Sequence, residues 1–403
     1  MAHRIRGIAL VCMTMACADA ASVRPPVRPG VDVLLSDSVH LVAGRRVGLV
    51  TNQTGVDATG LSDVDRLLRA GVNLVALYSP EHGFRGVLDQ EVIGHGVDSA
   101  TGLPIYSLYG ELRAPTAEML NGVDVLLLDL QDIGSRTYTY ISTVLVTMEA
   151  AGKAGVSVIV LDRPNPIGGE LVQGPVLDPP FGSFVGMLPI PLRHGMTIGE
   201  LARFGAAALG YEVNLTVVPA GGWRRAQWFD QTGLPWVRPS PNMPDLESAT
   251  HYPGVVLFEA TNLSVGRGTP VAFQVVGAPW LDVARVGDAA GAVPGVVLSD
   301  TVIRPESPPD GKYDGVSIPA VRLRVTDRAR YDPVRMAVRL LFALRDVHGD
   351  SLVVRARSLD ERAGTSRLRR ALEAGAEADA VWRTWIDELV GFQTLRERYL
   401  LYH

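Results

Sequence analysis

The sequence predicts an α/β fold, with a Rossmann-like parallel sheet domain, a smaller α+β domain after it and a cleft between them. In the amino-terminal half, short apolar runs alternate with amphipathic helical runs, which is typical of βαβ units. Polar clusters follow these apolar runs, as expected at the carboxyl ends of parallel strands. The pattern breaks at residues 234–253, where five prolines occur. We therefore place the Rossmann-like domain at 31–250 and the α+β domain at 251–403.

The elements of the first domain follow from apolar spacing. Arg46–Thr51 is a predicted strand, Ser62–Ala70 a helix with one apolar face, and Val72–Tyr78 a buried strand, which together form one βαβ unit. The further predicted elements are the strands Pro104–Tyr109, Val123–Leu128, Val156–Leu161 and Leu215–Pro219, and the helices Pro115–Leu120, Tyr138–Ala154 and one opened by the capping box Thr197–Glu200. No G-x-G-x-x-G or Walker loop follows any strand, so we expect no nucleotide cofactor.

The second domain is predicted to contain strands first and helices afterwards. The predicted strands are Val255–Glu259, Ala272–Val276 and Val321–Thr326, and the predicted helices are Pro333–Val347 and Asp379–Val390. At 403 residues, with 47% hydrophobic and 20% charged side chains, the chain is long enough for two such domains.

Residues 1–20 have the pattern of an export signal peptide, with a positive start, the apolar run Ile8–Ala16 and A-x-A cleavage sites. The alternative is lipid anchoring at Cys17, which we favour less because Thr14–Ala16 does not match a lipoprotein pattern. Both cysteines lie in this segment, so the mature chain would contain neither disulfides nor cysteine nucleophiles. We expect a periplasmic or extracellular protein without a transmembrane segment in the mature chain.

The net charge of −5 includes no basic tract, which argues against a nucleic-acid partner. The oligomeric state is left open by these observations.

Ionisable residues cluster where the predicted strands end. Glu81, His82 and Arg85 follow one buried strand, at the edge where α/β proteins bind ligands. The other clusters are Asp129, Asp132 and Arg136; Asp162, Arg163 and Asn165; Arg193 and His194; and Glu259, Asn262 and Arg267. Converging carboxylates are what glycoside hydrolysis needs, and arginines suit an anionic substrate.

Each of these residues also has a plainer alternative. Asp129 and Asp162 can cap turns, with Arg136 and Arg163 as their ion-pair partners, while His194 can cap the helix after it. The histidine spacing matches no metal motif, so we predict no metal site, and no G-x-S-x-G elbow supports a serine hydrolase.

Seven ordered blocks of the sequence resemble those of the bacterial exo-β-N-acetylmuramidases of the NamZ type. The resemblance extends from about residue 31 to the carboxyl end. Its blocks are Gly48–Gly55, Pro80–Gly83, Thr101–Gly110, Asp162–Pro166, Arg193–Thr197, Pro239–Pro244 and Thr261–Thr269.

The resemblance implies an exo-acting glycoside hydrolase that releases N-acetylmuramic acid from the non-reducing ends of peptidoglycan fragments. It makes Glu81 the candidate acid, and we predict His82, Asp132 and Glu259 as the other catalytic residues. The predicted substrate-binding residues are Asn52, Arg85, Arg136, Tyr138, Arg163, Asn165, His194, Asn242, Asn262 and Arg267. Gln173 stands where many relatives are expected to have a glutamate, so no proton transfer can depend on that position here. The alternative function is a non-catalytic envelope protein that binds sugars on the same fold.

Overall fold

The computed structural model describes residues 26–86 and 94–403. The predicted signal peptide at 1–20, including Cys17, lies outside the described residues. Among the helices in the described part, none is both long and apolar enough to cross a membrane.

The strands form three sheets. Their bounds are β1 Arg46–Thr51, β2 Asn73–Ser79, β3 Gly96–Val97, β4 Pro104–Ser107, β5 Val125–Asp129, β6 Ser157–Leu161, β7 Gln173–Val176, β8 Pro191–Arg193, β9 Leu215–Val218, β10 Val275–Gly277, β11 Val296–Ile303 and β12 Ile318–Val325. The largest sheet has the order β3-β4-β2-β1-β5-β6-β9, in which only β3 pairs antiparallel. From β4 to β9 this is the Rossmann order, with a change of direction between β1 and β5.

Helices cover the sheet and fill the second half. Their bounds are α1 Gly30–Asp37, α2 Asp63–Arg69, α3 Tyr140–Lys153, α4 Ile198–Leu209, α5 Leu246–Val255, α6 Val283–Ala290, α7 Pro333–His348, α8 Ala356–Ala363, α9 Arg367–Glu373, α10 Ala378–Arg383 and α11 Ile386–Arg396. The predicted capping box begins α4, with Thr197 accepting from the Glu200 backbone and the Glu200 side chain accepting in return.

The large sheet is buried on both faces, which explains its continuous apolar strands. On one face, Leu127 of β5 belongs to the same core cluster as Leu34 of α1 and Leu67 of α2. On the other face, Leu126 lies in the cluster that includes Met148 of α3. Helices therefore lie on both sides of the sheet, which confirms the predicted Rossmann-like arrangement.

The carboxyl-terminal half is a three-stranded antiparallel sheet, β10-β12-β11, with helices packed against it. The largest core cluster includes Leu126 and Tyr140 from the first half and Phe258 and Leu340 from the second. The two halves thus share one continuous apolar core, and side chains on their common boundary are held in place from both directions.

Three predicted elements were wrong. Val255–Glu259 is not a strand, because α5 ends at Val255 and a 3₁₀ helix follows over Val256–Ala260. A short buried apolar run has the same composition in either conformation. Pro115–Leu120 forms turns rather than a helix. The single helix predicted at Asp379–Val390 is two helices, α10 and α11, with the buried Trp385 between them.

Candidate active site

A polar cavity of about 180 Å³ opens beside the carboxyl ends of β2 and β5, the two neighbours of β1. This is the point at which the strand order changes direction, where open α/β sheets bind ligands. The carboxyl-terminal half supplies the rest of the lining. The lining residues are Glu81, His82, Thr137, Tyr138, Thr139, Val185, Ser240, Tyr252, Val256, Glu259, Arg267, Phe273 and Arg362.

Glu81 is positioned by the residue that begins α3. Thr139 occupies the N-cap position of that helix, but its hydroxyl makes no capping bond and donates instead to Oε2 of Glu81. That hydrogen bond fixes Oε2 as an acceptor, so Oε1 is the oxygen that can carry a proton toward a ligand.

Two non-glycine residues in the left-handed backbone region line the cavity. His82 has a φ of 70° and Phe273 a φ of 61°. Such a conformation costs about 1–3 kcal/mol and persists only where the surrounding structure holds it. Phe273 is held by Tyr252, whose ring centroid lies 4.6 Å from its own. Strained backbone at both walls of one cavity is typical of a functional site.

Glu259 is held by two arginines. Arg267 donates from Nε (2.8 Å) and Nη2 (2.6 Å) to Oε1, and the Arg362 Nε lies 3.5 Å from Oε2. Burial raises the pKa of Glu259, but the two guanidinium groups outweigh it and leave the pKa below its usual value. Glu259 is therefore ionised at neutral pH, and the three side chains together carry one net positive charge.

Two tyrosines contribute hydroxyl groups that stay protonated. Burial raises the pKa of both Tyr138 and Tyr252, and neighbouring acidic side chains add to this effect. Their rings meet edge to face at 5.9 Å. A protonated hydroxyl can donate a hydrogen bond to a sugar oxygen, whereas a nucleophile would require the phenolate.

Five of the predicted site residues meet in this cavity, namely Glu81, His82, Tyr138, Glu259 and Arg267. The other predicted residues lie outside its lining, and most of their side chains form hydrogen bonds or ion pairs within the protein.

Asp132, in the loop that follows β5, faces His194, which comes directly after β8. The Asp132 Oδ2 accepts from the Gly134 backbone at 2.7 Å and lies 3.3 Å from Nε2 of His194. The His194 Nδ1 accepts from the Met196 backbone at 3.1 Å. Both side chains are buried, so the pair orders the loops that support the site and does not line the cavity.

Arg163 and Arg136 are committed to contacts inside the protein. Arg163 binds Asp129 with two bonds of 2.5 and 3.0 Å and also donates to the carbonyl of Val56, as the plainer alternative for this residue predicted. Arg136 instead donates to the carbonyls of Pro175, Ile190 and Arg362. Burial lowers its pKa to about 9. Both guanidinium groups are therefore engaged by protein acceptors and lie outside the lining of the cavity, unlike the arrangement predicted from the sequence.

Three predicted asparagines connect backbone segments. The Asn165 Nδ2 donates to the Met196 carbonyl, and the Asn262 Nδ2 donates to the Ser351 carbonyl. The Asn52 Nδ2 donates to the Tyr140 hydroxyl, which itself donates to the carbonyl of Pro239. These amide groups are engaged by the protein itself, and none of the three side chains is among the lining residues of the cavity.

Asn52 has a further consequence for the site, because its chain of hydrogen bonds anchors the loop 239–244. That loop brings Ser240 to the cavity and contains the buried Asn242, which is not among the lining residues.

Arg85 is largely exposed and lies 3.7 Å from Asp98.

Gln173 forms a structural contact. Its Oε1 accepts from Nη1 of Arg193 at 2.9 Å, and its Nε2 donates to the Tyr331 carbonyl at 3.2 Å. Gln173 lies on β7 and not in the cavity lining, so the absence of a glutamate at this position does not affect the candidate acid Glu81.

Arg362 and Thr139 are lining residues that the sequence did not indicate. Arg362 is on α8, an otherwise ordinary polar helix, and Thr139 has no motif around it. Within the described ranges, no group of three histidine, cysteine or acidic side chains could hold a metal ion.

A Rossmann-like domain that places a carboxyl group and a cationic cluster in one polar cavity defines a hydrolase of the glycosidase class suited to an anionic sugar. Comparison with known proteins identifies the family. Residues 47–247 match the amino-terminal model of the exo-β-N-acetylmuramidase NamZ, and residues 250–402 match its carboxyl-terminal model. The chain belongs to the NamZ family, which confirms the resemblance.

The relatives agree along nearly the whole length. The peptidoglycan β-N-acetylmuramidase NamZ of Bacillus subtilis (strain 168) is 40% identical over 384 residues, or 94% of this chain and 92% of that protein. Two DUF1343 family proteins from Bacteroides fragilis NCTC 9343 have solved structures with TM-scores of 0.87 and 0.75 and identities of 35% and 30%. Each match covers 94% of this chain, and 100% and 99% of the respective solved chain.

Proposed function

We propose that this protein is an exo-acting glycoside hydrolase that releases N-acetylmuramic acid from the non-reducing ends of peptidoglycan fragments, with Glu81 as the general acid. The observation that carries the assignment of Glu81 is its place in the cavity. Of the two carboxyl groups among the described lining residues, Glu259 is paired with arginines, whereas Glu81 is oriented by the hydroxyl of Thr139. The curated Bacillus relative supports the reaction and the substrate class.

The first chemical step is protonation of the leaving oxygen. With Oε2 held by Thr139, Oε1 of Glu81 delivers its proton to the glycosidic oxygen as the bond to the anomeric carbon breaks. General acid catalysis of this kind contributes roughly 10² to 10⁴ in rate.

The second step does not use Glu259 as a free carboxylate. Arg267 and Arg362 both pair with it, so among the described residues Glu259 is not available to stabilise positive charge at the anomeric carbon. Asp132, the other predicted candidate, lies outside the lining. Among the described lining residues no second free carboxylate is present, so we propose that the attacking group is water or, as in glycosidases that use substrate assistance, the acetamido oxygen of the substrate.

The test of this function uses two disaccharides that differ only in the order of their sugars. N-acetylmuramyl-N-acetylglucosamine should yield free N-acetylmuramic acid, whereas N-acetylglucosaminyl-N-acetylmuramic acid should stay intact, because an exo-acting enzyme needs the muramyl residue at the non-reducing end. Binding of the first disaccharide without any release would instead support the sugar-binding alternative.

We also propose that the protein is exported to the periplasm or the extracellular space. The support is the pattern of residues 1–20 and a substrate that lies outside the cytoplasm. Amino-terminal sequencing of the mature protein should find a start close to residue 21. A lipid-modified start at Cys17 would favour anchoring, and retention of Met1 would contradict export.

A further inference from the structure

We propose that Arg362 recognises the lactyl carboxylate that distinguishes N-acetylmuramic acid from N-acetylglucosamine. This inference rests on the proposed function, because it assigns a subsite within the same cavity.

The hydrogen bonds of Arg362 leave part of its guanidinium group available. Its Nη1 donates to Oγ of Ser358 at 2.5 Å, and its Nε has only a long contact of 3.5 Å with Glu259. In the part of the chain that the structure describes, no hydrogen bond from Nη2 to a protein acceptor is present. The side chain lines the cavity and is 24% exposed. A guanidinium edge that faces a cavity can bind a carboxylate through parallel bonds.

Glu259 engages Arg362 only weakly, because the Nε of Arg362 lies 3.5 Å from Oε2, whereas Arg267 binds Oε1 closely. Both donors of Arg267 reach Oε1 at 2.8 Å or less, and its side chain also stacks on Phe273 at 5.1 Å. Lys312 adds further positive charge near Glu259 and lowers the pKa of that carboxyl. Among the described residues, an entering carboxylate would therefore meet cationic side chains at this corner of the cavity, with Arg362 as the one that presents a free guanidinium edge.

The backbone of Arg362 is fixed from the opposite side. Its carbonyl accepts from Nη2 of Arg136 at 3.1 Å, and Arg136 is itself held by the carbonyls of Pro175 and Ile190. The helix α8 then ends at Gly364, which has a left-handed φ of 73°. Arg362 is thus presented by a rigid helix end, which reduces the entropy lost when a ligand binds.

The arrangement also orients the substrate. Glu81 and Arg362 line the same cavity but come from different halves of the chain. A sugar anchored by its lactyl group at Arg362 would have its glycosidic oxygen directed to the other wall, where the acid lies. Recognition of the carboxylate then selects both the sugar and its pose.

The experiment compares an aryl N-acetylmuraminide with the same compound in which the lactyl carboxylate is an amide. The variants are Arg362→Ala and Arg362→Gln, with Arg357→Ala as the matched control, since Arg357 is on the same helix, is 92% exposed and pairs with Glu361. We expect Arg362→Ala to lower kcat/KM on the acid by about 10- to 100-fold, the range for a hydrogen bond to a charged group, and to leave the amide rate nearly unchanged.

The ratio of the two rates separates recognition from folding. Arg362→Gln keeps most of the side-chain volume and should lose the same preference for the acid, while Arg357→Ala should retain it. Equal losses on acid and amide, or a wild-type preference preserved in both Arg362 variants, would overturn the inference.

Failure of the proposed function has a different signature. If the wild-type protein releases no N-acetylmuramic acid from any substrate, calorimetric binding of free N-acetylmuramic acid and N-acetylglucosamine takes the place of the rate ratio. Binding of the muramic sugar that weakens only in the Arg362 variants would still support the subsite, and binding unaffected by them would refute it.

Discussion

Replacing Glu81 by glutamine removes the proposed proton and changes little else. The amide oxygen of the new side chain can still accept from Thr139, so the loop after β2 should keep its position. Because the side chain is only partly buried and its hydrogen bond is retained, we expect the unfolding free energy to change by less than about 1 kcal/mol. Any large loss of activity is then chemical in origin.

The expected size of that loss depends on the leaving group. On the disaccharide, whose leaving sugar needs protonation, Glu81→Gln should lower kcat by roughly 10² to 10⁴, equivalent to about 2.7–5.4 kcal/mol of transition-state stabilisation. On a 4-nitrophenyl muraminide the loss should be far smaller, because nitrophenolate leaves without a proton. Steady-state rates of the two substrates with wild-type and variant protein provide the measurement.

Two results would refute this reasoning. Equal losses on both substrates would mean that Glu81 acts as a nucleophile or as a positioning residue and not as the general acid. A loss below about tenfold on the disaccharide would remove Glu81 from the chemistry altogether. Thr139→Val serves as the matched control, because it keeps the carboxyl group of Glu81 but removes the hydrogen bond that orients it. This variant should lower kcat by about tenfold or less.

Three further predictions concern the surroundings of the site. Arg163→Ala should destabilise the protein by about 3–5 kcal/mol, because it leaves Asp129 as an unpaired buried charge. The soluble fraction of this variant should keep the preference for muramic sugars. A changed preference in rate assays would contradict a structural role for Arg163. Burial raises the pKa of Asp162 to about 6, so the folded state binds this proton more tightly than the unfolded state does. The free energy of unfolding should therefore fall by up to about 3 kcal/mol as the pH rises from 3.8 to 6. Denaturant unfolding of Asp162→Asn should lack that part of the slope, and an unchanged slope would be the contrary result. Chelator treatment should leave the hydrolysis rate unchanged, whereas a loss reversed by a divalent ion would show a metal requirement.

The fold could be predicted from the sequence because the apolar and polar patterns that indicate it are local. Each strand of the large sheet is a short apolar run, and each following loop is polar, so the order of elements could be read directly. Val256–Ala260 was misassigned because a buried 3₁₀ helix and a buried strand have the same apolar composition. The break at Trp385 was missed because it depends on tertiary packing of that side chain.

The site could be predicted only in part, because most of its contacts depend on tertiary packing. Glu81 could be found because it follows a strand, whereas the partners of Arg163 and Asn52 are set by which strands lie side by side. An arginine that binds substrate and one that pairs with a buried aspartate have the same sequence signature. Arg362 is far from Glu81 in sequence, and only the packing of α8 beside the 3₁₀ helix brings it to Glu259.

The central claim is that Glu81 faces the glycosidic oxygen of a muramyl residue at the end of the sheet. The most direct measurement is a crystal structure of the Glu81→Gln protein with N-acetylmuramyl-N-acetylglucosamine bound. We predict that the carboxamide at position 81 lies within hydrogen-bond distance of the glycosidic oxygen, about 2.6–3.2 Å or one bridging water away. A complex in which another carboxylate holds that oxygen, with residue 81 turned away from it, would contradict the account.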